Sequence, residues 1–311
     1  MSTVAVLDSG INEEYIRSFL NDNTVTFYNI SEEKDSFKID KGCPYDKYGH
    51  GTECVSIINR HCPDVNYVIL PLLDRNGFCD MQKLVCALKF FTKIDVDFSN
   101  LSLSSVSTYL YKELCDTIDL LAQQNKFVIA AKSNDMDESY PACLGNVYGV
   151  EGIGWNSKEY FEYCEEASIQ LRADNTPSMM PELKGVPAFF GGNSKATAVI
   201  TGVLARAFSK KSITAERINS FLSSPQSIKP QNDVQRTVID RNEIDKVLAK
   251  RKIAWETISK GECEEQCYYQ LIEIASRVFC MNLSPEMFDF ADFASEEVFF
   301  NAIENADGLL T

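Results

Sequence analysis

The sequence predicts an α/β fold in which a parallel sheet is flanked by helices on both faces, with a small acidic helical domain after it. Two observations predict this architecture. Short apolar runs alternate with helical patterns over residues 1–250, and the composition turns acidic beyond that point. Strands that alternate with helices favour a parallel sheet, because each crossover helix packs against one face of it.

The predicted elements of the first domain, residues 1–250, follow from apolar spacing. Strands are expected at Thr3–Leu7, Asn66–Leu70, Val96–Leu103, Phe127–Ala131 and Val147–Ile153, and helices at Gly51–Asn59, Met81–Phe91, Thr108–Gln124 and Ser194–Phe208. A last strand and a short helix are predicted within Asp233–Ala249. In such a sheet, catalytic and ligand-binding residues gather where strands end and loops begin.

The second predicted domain, residues 251–311, is acidic and helical. It carries four lysines and arginines against twelve aspartates and glutamates. Helical spacing runs through Leu271, Ala275 and Val278, and Ser284-Pro285 is typical of an N-cap followed by proline in the first turn. The stretch "SEEVFFNAIENA" indicates a further amphipathic helix.

Composition excludes several functional classes. The net charge of −15 leaves no basic stripe for nucleic-acid phosphates, and no apolar stretch is long enough to span a membrane. The start of the chain lacks a secretory signal pattern, so eleven cysteines without a CxxC pair indicate thiols in a reducing, cytoplasmic compartment. With two histidines, no metal site and no cofactor are expected.

Four short stretches carry residue types that could perform chemistry. They are "VLDSG" with Asp8, "YGHGTECVSII" with His50, "VIAAKSND" with Asn134 and "GGNSKATAVITGVLA" with Ser194. Asp8 and Asn134 end predicted strands, while His50 and Ser194 stand where helices begin. Acyl transfer requires a nucleophile, a base, a carboxylate that orients the base and a donor for the oxyanion.

Each stretch alone has an ordinary structural interpretation. Asp-Ser-Gly and Asn-Asp are common in turns, a histidine between glycines is more often structural than catalytic, and a helix of small residues is usually just closely packed. The catalytic interpretation rests on four such features occurring in one chain, each at the end of a strand or helix.

In their order along the chain, these stretches resemble the subtilisin family of serine peptidases. "VLDSGI" is similar to the strand that ends in the catalytic aspartate, and "GHGT" to the histidine motif. "NLSLSS" resembles the strand that pairs with bound peptide, "AAKSN" the segment with the oxyanion asparagine, and "GNSKATAVITGVLA" the nucleophile helix. The resemblance covers residues 1 to about 250 and implies a subtilisin-like sheet.

The resemblance also implies a role for each residue of the site. Asp8 would orient His50, His50 would accept the proton of Ser194, and Asn134 would bind the oxyanion. The substrate-binding residues would be Ser102, Leu103, Ser104, Ala131, Ser133 and Ser139. Because Ser133 and Ser139 stand where the family often has glycine, we expect a small or medium side chain before the scissile bond.

Three positions around the nucleophile depart from the family's usual residues. Asn193 replaces threonine, Lys195 replaces methionine, and Ala198 replaces the proline that often follows. Asn193 could donate to the oxyanion or perturb the turn at the nucleophile. Lys132 could attract acidic substrates or simply be solvated. All four chemical groups are present, and an inactive peptide-binding module remains the alternative to an enzyme.

The expected function is a cytoplasmic serine endopeptidase of narrow specificity that processes a peptide precursor, such as the leader of a ribosomally made peptide. With the first strand two residues after Met1, no inhibitory propeptide is expected, and narrow specificity would then protect the host. General protein turnover is a further alternative. The partner is a peptide, and the 251–311 domain could recognise a leader or partner, brace the catalytic domain or gate its cleft.

Overall fold

The computed structural model separates the chain into two compact units. The first is Met1–Asn175 with Gly191–Gln226, and the second is Thr176–Phe190 with Ser227–Thr311. The structure describes residues 1–20, 23–34, 36–46, 48–74, 76–134, 136–153, 161–181, 188–209, 211–224, 245–246, 248–249, 254–279, 281, 283 and 285–307.

A nine-stranded, mostly parallel sheet forms the centre of the first unit. Its strands are β1 (Ser2–Asp8), β2 (Val25–Glu33), β3 (Ser36–Lys41), β4 (Val65–Pro71), β5 (Phe98–Leu101), β6 (Phe127–Ala131), β7 (Val147–Ile153), β8 (Phe161–Tyr163) and β9 (Leu171–Asp174). They lie in the order β3-β2-β4-β1-β5-β6-β7-β9-β8. Only the edge strands β3 and β8 run antiparallel to their neighbours.

Six helices lie in the described part of the first unit. They are α1 (Glu13–Phe19), α2 (His50–His61), α3 (Met81–Phe91), α4 (Tyr111–Gln123), α5 (Gly192–Phe208) and α6 (Ala215–Ser223). Three of them begin at a side chain that accepts a backbone N–H of the first turn, namely Asn12, Asp80 and Thr214. Such caps satisfy donors that a helix N-terminus would otherwise leave unpaired.

Both faces of the sheet are buried, as a parallel sheet requires. On β1, Ala5 and Leu7 belong to a hydrophobic cluster that includes residues of α3 and α4. Val4 and Val6 point to the opposite face and are also fully buried. There α2 and α5 pack so closely that a Cβ on Gly202 would lie 2.7 Å from the Cβ of His61.

The second unit has an aromatic core. Its helices are α7 (Trp255–Ser259), α8 (Glu265–Val278) and α9 (Glu296–Asp307), with short 3₁₀ turns at Pro285–Met287 and Phe290–Phe293. Buried aromatic side chains fill the space between them, including Tyr268, Phe288, Phe293, Phe299 and Phe300.

A segment that precedes α5 in the chain belongs to this second unit. Its strands β10 (Ser178–Met179) and β11 (Phe189–Phe190) form an antiparallel pair. The hydroxyl of Tyr269 on α8 lies 2.8 Å from the carbonyl oxygens of both Met180 and Ala188. Ser178 also donates a hydrogen bond to the buried Asp289.

The predicted fold class is confirmed, with corrections to individual elements. The predicted strand Val96–Leu103 is wrong in length, because the ladders of β5 reach only Asn100 on one side and Leu101 on the other. The β2–β3 hairpin was missed because its polar residues mask the alternation of a strand.

Two other predictions fall largely outside the described residues. Within Asp233–Ala249 only residues 245–246 and 248–249 are described, and Ser284 is not. The division at residue 250 stays a prediction, and the observed units differ from it because Thr176–Phe190 groups with the C-terminal helices. No helix in the described part of the chain has both the length and the hydrophobicity to cross a membrane.

Candidate active site

Asp8 and His50 form a close pair at the carboxyl end of the central strand β1. Asp8 is the last residue of β1 and its side chain is fully buried, while His50 is the first residue of α2. The Nδ1 atom of His50 lies 2.7 Å from Oδ1 of Asp8, and the Ser9 N–H donates to the same oxygen at 2.8 Å. The carboxylate therefore fixes which ring nitrogen faces it, and in a catalytic triad Nε2 would be the nitrogen that accepts the proton of the nucleophile.

Glycines allow the loop after β1 and the start of α2 to touch backbone to backbone. A Cβ on Gly51 would lie 2.2 Å from the carbonyl oxygen of Gly10, far inside van der Waals contact. The Gly51 N–H donates to the hydroxyl of Ser9 at 2.9 Å. This contact places His50 directly beside Asp8.

A second carboxylate, Asp46, holds the first turn of α2. It accepts the N–H groups of Gly49 at 2.6 Å and Thr52 at 3.0 Å, and the Thr52 hydroxyl at 2.6 Å. Gly49 has φ = 98°, a left-handed conformation that glycine adopts without strain. Asp46 was not among the residues predicted from the sequence, although an aspartate shortly before a helix start is a recognisable capping signal.

The pKa of His50 is raised above its ordinary value. Burial lowers that pKa, but the charge of the Asp8 carboxylate and its hydrogen bond to the ring raise it further than burial lowers it. The Cys54 thiol is buried against Asp8, with its sulfur 3.6 Å from Oδ2, and burial raises the pKa of this thiol to about 12. A neutral thiol contributes no charge, so the Asp8 carboxylate is the source of the upward shift of His50.

One cleft of about 380 Å³ brings the predicted chemical groups together. His50, Asn134 and Ser194 line it, and three predicted substrate-binding residues with Ala131 form part of its walls. The lining residues are Tyr48, His50, Leu73, Gly77, Phe78, Cys79, Asp80, Met81, Leu84, Ser102, Leu103, Ser104, Ser105, Ala131, Lys132, Asn134, Asn193 and Ser194.

Ser194 lies in the first turn of α5 and contacts the strand beside it. Its hydroxyl donates to the carbonyl oxygen of Ser102 at 3.4 Å, and the hydroxyl of Ser102 donates to the carbonyl oxygen of Ser194 at 3.3 Å. Asn100 on β5 donates to the Ser102 hydroxyl at 3.0 Å and accepts from Thr201 on α5 at 2.9 Å. Buried polar bonds thus link the predicted nucleophile helix to the predicted peptide-binding strand.

Ser133 and Ser139 lie beside the cleft and are not among its lining residues. Ser139 is fully buried, and its hydroxyl accepts the Ser133 N–H at 2.9 Å. An influence of Ser139 on specificity would therefore act through the shape of the loop. Lys132 lines the cleft, but its ammonium group lies 2.8 Å from Glu151, and this hydrogen bond raises the pKa of the lysine.

Another part of the cleft lining was not predicted. It consists of the loop that follows β4, including Gly77, Phe78 and Cys79, together with the start of α3. No local sequence pattern marks this part of the lining, and its position follows from strand pairing. Strand β4 pairs with β1 so that Pro71 is opposite Asp8, and the loop after β4 must therefore begin beside the carboxylate.

The described residues offer one group with the spacing of metal ligands. Ligand atoms of Asp8, His50 and Cys54 all lie within 4.8 Å of one another. A soft cation bound there would occupy the same carboxylate and imidazole that the predicted catalytic site needs, so this group supports no separate metal-dependent role.

Comparisons with known proteins identify the family of the chain. The profile of the subtilase family of peptidases matches residues 2–240. The minor extracellular protease Epr of Bacillus subtilis (strain 168) is 27% identical over 206 residues. That match includes 62% of this chain and 30% of Epr, so the chain spans under a third of that relative's length. The chain belongs to the subtilase family, whose members are serine peptidases.

Solved structures with the same fold include two peptidases. One is the protease domain of PatA, solved as a serine-to-alanine mutant, with a TM-score of 0.50 and 18% identity over 71% of this chain and 81% of that one. The other is a lanthipeptide protease, with a TM-score of 0.52 and 17% identity over 71% of this chain and 78% of that one. At these identities the likeness supports the fold alone.

Proposed function

We propose that this subtilase-family peptidase cleaves peptide bonds through an acyl-enzyme formed on Ser194. His50 accepts the proton of the Ser194 hydroxyl, the serine oxygen attacks the scissile carbonyl, and His50 then returns the proton to the leaving amine. Water deacylates the enzyme by the same route. The observation that carries the proposal is the 2.7 Å bond between His50 and the buried Asp8, with His50 and Ser194 lining one cleft.

Asn134 and the start of α5 are the proposed oxyanion site. The Ser194 N–H belongs to the first turn of the helix, where backbone donors lack intrahelical acceptors and the helix dipole favours negative charge. Asn134 accepts the N–H of Asn193 on its Oδ1 at 3.4 Å. In the proposed reaction the amide nitrogen of Asn134 donates to the developing oxyanion, as the oxyanion asparagine of subtilisin does.

We further propose that the substrate is a defined peptide precursor whose leader is removed by this cut. One protein with the same fold is a lanthipeptide protease, and the proposal extends its kind of substrate to this chain by analogy. Four consecutive residues after β5, Ser102–Ser105, line the cleft, and we propose that a peptide in strand conformation pairs with them. With Ser133 and Ser139 shaping the adjoining loop, we expect a small or medium residue before the scissile bond.

The proposed location is the cytoplasm, and the second unit is the proposed docking element for a precursor or partner. Ten described cysteines are free thiols, which is the state that a reducing compartment maintains. The net charge of −15 makes a peptide a better partner than a nucleic acid or an anionic membrane surface.

The first test is labelling with a fluorophosphonate probe, which reacts with an activated serine. Wild type should be labelled, and Ser194→Ala should not. Circular dichroism would show that the variant remains folded. Absence of labelling in the folded wild type would reject the proposal and favour an inactive peptide-binding module.

A second test separates precursor processing from general turnover. Purified enzyme would be mixed with unfolded casein and with a library of short peptides that vary the residue before the cut. Cleavage restricted to a few peptides with small or medium residues supports processing. Rapid degradation of casein, or preference for phenylalanine and tyrosine before the cut, would overturn the proposed specificity.

A further inference from the structure

The two residues that flank Ser194 both depart from the family's usual pattern, and both have buried polar side chains. Asn193 is 7% exposed and Lys195 is 2% exposed. Burying such groups costs free energy unless each finds a partner. Their partners lie on three different strands or strand ends around the nucleophile.

Asn193 uses its whole side-chain amide to bind backbone. Its Nδ2 donates to the carbonyl oxygens of Lys132 at 2.9 Å and Ser133 at 3.3 Å, directly after β6. Its Oδ1 accepts the N–H of Gly152 on β7 at 2.7 Å. Of the two possibilities raised by the sequence, donation to the oxyanion or an effect on the turn, these contacts favour the second.

The backbone of Asn193 contacts the proposed oxyanion residue as well. Its N–H donates to Oδ1 of Asn134, and Asn134 lies one residue after Ser133, whose carbonyl oxygen accepts from the Asn193 side chain. One residue therefore holds both the helix that carries Ser194 and the loop that carries Asn134.

Lys195 forms a buried ion pair with Asp174, the last residue of β9. The ammonium nitrogen lies 2.8 Å from Oδ2, and the two side chains are 3% and 2% exposed. A cation in the first turn opposes the helix dipole, so this position needs a counter-charge. Next to the pair, the Gly192 N–H donates to the carbonyl oxygen of Asn175 at 3.1 Å.

We propose that Asn193 and Lys195 are positioning residues, which fix Ser194 and Asn134 relative to each other. Asn193 ties the start of α5 to β6 and β7, and Lys195 ties it to β9 through Asp174. The inference rests on the proposed function, because it concerns the geometry of that reaction. A displacement of about 1 Å at a reacting group can cost on the order of 10²-fold in rate.

The first experiment is the substitution Asn193→Ala, which removes the side-chain amide and its hydrogen bonds to Lys132, Ser133 and Gly152. The matched control is Ser2→Ala, which removes a buried hydrogen bond of 3.0 Å to the carbonyl of Ala205 at the other end of α5. Active sites would be counted by fluorophosphonate labelling carried to completion, and kcat and KM measured per counted site. We expect Asn193→Ala to lower kcat by about 10–100-fold with KM within twofold, and Ser2→Ala to lower only Tm.

The second experiment separates positioning from stability at the ion pair. Asp174→Asn leaves a buried ammonium without its counter-charge, so Tm and kcat should both fall. The double variant Asp174→Leu with Lys195→Met instead replaces both members of the pair by apolar side chains, a change that often restores stability. We expect the double variant to recover Tm while kcat per site stays at least about tenfold below wild type.

The results discriminate between the two proposals. A wild type that fluorophosphonate does not label overturns the proposed reaction itself. If wild type is active and Asn193→Ala retains kcat per site within twofold, the positioning role is wrong while the reaction stands. If the double variant recovers both the Tm and the kcat of wild type, the ion pair only stabilises the fold and the positioning role of Lys195 is wrong.

Discussion

The two halves of the proposed catalytic site are held by different means. Asp8 and His50 are brought together by backbone contact, where Gly51 lies against Gly10 without a Cβ between them. Ser194 and Asn134 are held instead by buried polar side chains that reach neighbouring strands. The first half keeps the family's motif, whereas the second departs from it on both sides of the nucleophile.

This difference indicates which kind of change each half tolerates. A backbone contact leaves no room for any added atom, so its glycines cannot vary. Contacts made by side chains can be replaced by other side chains that reach the same strands. This half of the site can therefore change in composition while its function stays the same.

The largest effect is expected from removing the reacting groups of the two halves. In subtilisin, loss of the serine or histidine costs about 10⁶ in kcat, and loss of the oxyanion asparagine about 10²–10³. We expect the same order here for Ser194→Ala and His50→Ala against Asn134→Ala. Steady-state kinetics on one short peptide would measure it, and equal activity of wild type and Ser194→Ala would contradict the assignment.

The next largest effect is expected from Asp8→Asn, at about 10⁴ in kcat, because the amide no longer fixes the catalytic tautomer of His50. The Asp8 charge raises the pKa of His50, and only neutral imidazole accepts the serine proton. Activity should therefore rise with pH through the His50 pKa. In the variant, burial acts without the opposing charge, and the acid limb of kcat/KM should move to lower pH.

A control is needed because a second group beside His50 titrates near neutrality. Burial raises the pKa of Glu53 to about 7. Glu53→Gln should leave the large shift between wild type and Asp8→Asn in place. If Glu53→Gln alone reproduces the shift, the acid limb belongs to Glu53 and the role given to the Asp8 charge is wrong.

A smaller effect is expected from Gly51→Ala. The added Cβ would overlap the Gly10 carbonyl, and overpacking of this kind costs about 1–3 kcal/mol of the free energy of unfolding. Because α2 must move away from β1, we also expect kcat to fall by about 10–100-fold. The matched control is Gly145→Ala, where a Cβ meets nothing within 4 Å. Similar Tm values for both variants would show that the backbone contact is not needed.

The smallest effect is expected from Cys54→Ala. The thiol donates a weak, 3.6 Å hydrogen bond to Asp8, so its loss should cost about 1 kcal/mol of stability and less than tenfold in kcat. The acid limb should move slightly to higher pH, because Asp8 becomes a stronger acceptor for His50. Cys62→Ala, a buried thiol at the other end of α2, is the control and should leave that limb unchanged.

Much of the first half of the site could be predicted from the sequence, because its residues stand next to strongly patterned elements. Asp8 ends an apolar strand, and His50 begins an amphipathic helix between two glycines. Ser194 and Asn134 were located in the same way, at the start of a helix and just after a strand.

The remaining features depend on distances that no local pattern contains. The partner of Lys195 is 21 residues away on a short strand of only four residues, β9, which was not predicted. The wall at Gly77–Cys79 is a loop without apolar periodicity, so the sequence assigned it no role. The grouping of Thr176–Phe190 with α8 depends on contacts such as that of Tyr269, about 80 residues further along the chain.

Because of that grouping, segment 176–190 is synthesised well before the residues that it packs against. Segment 176–190 leaves the first unit after Asn175 and returns just before Ser194, yet its packing partners, including Tyr269 and Phe288, are made roughly a hundred residues later. At about 5–20 residues per second, a ribosome needs several seconds to supply them. During that interval the described residues of this segment lack the aromatic side chains that they pack against, and a chain cut short before α8 could never provide them.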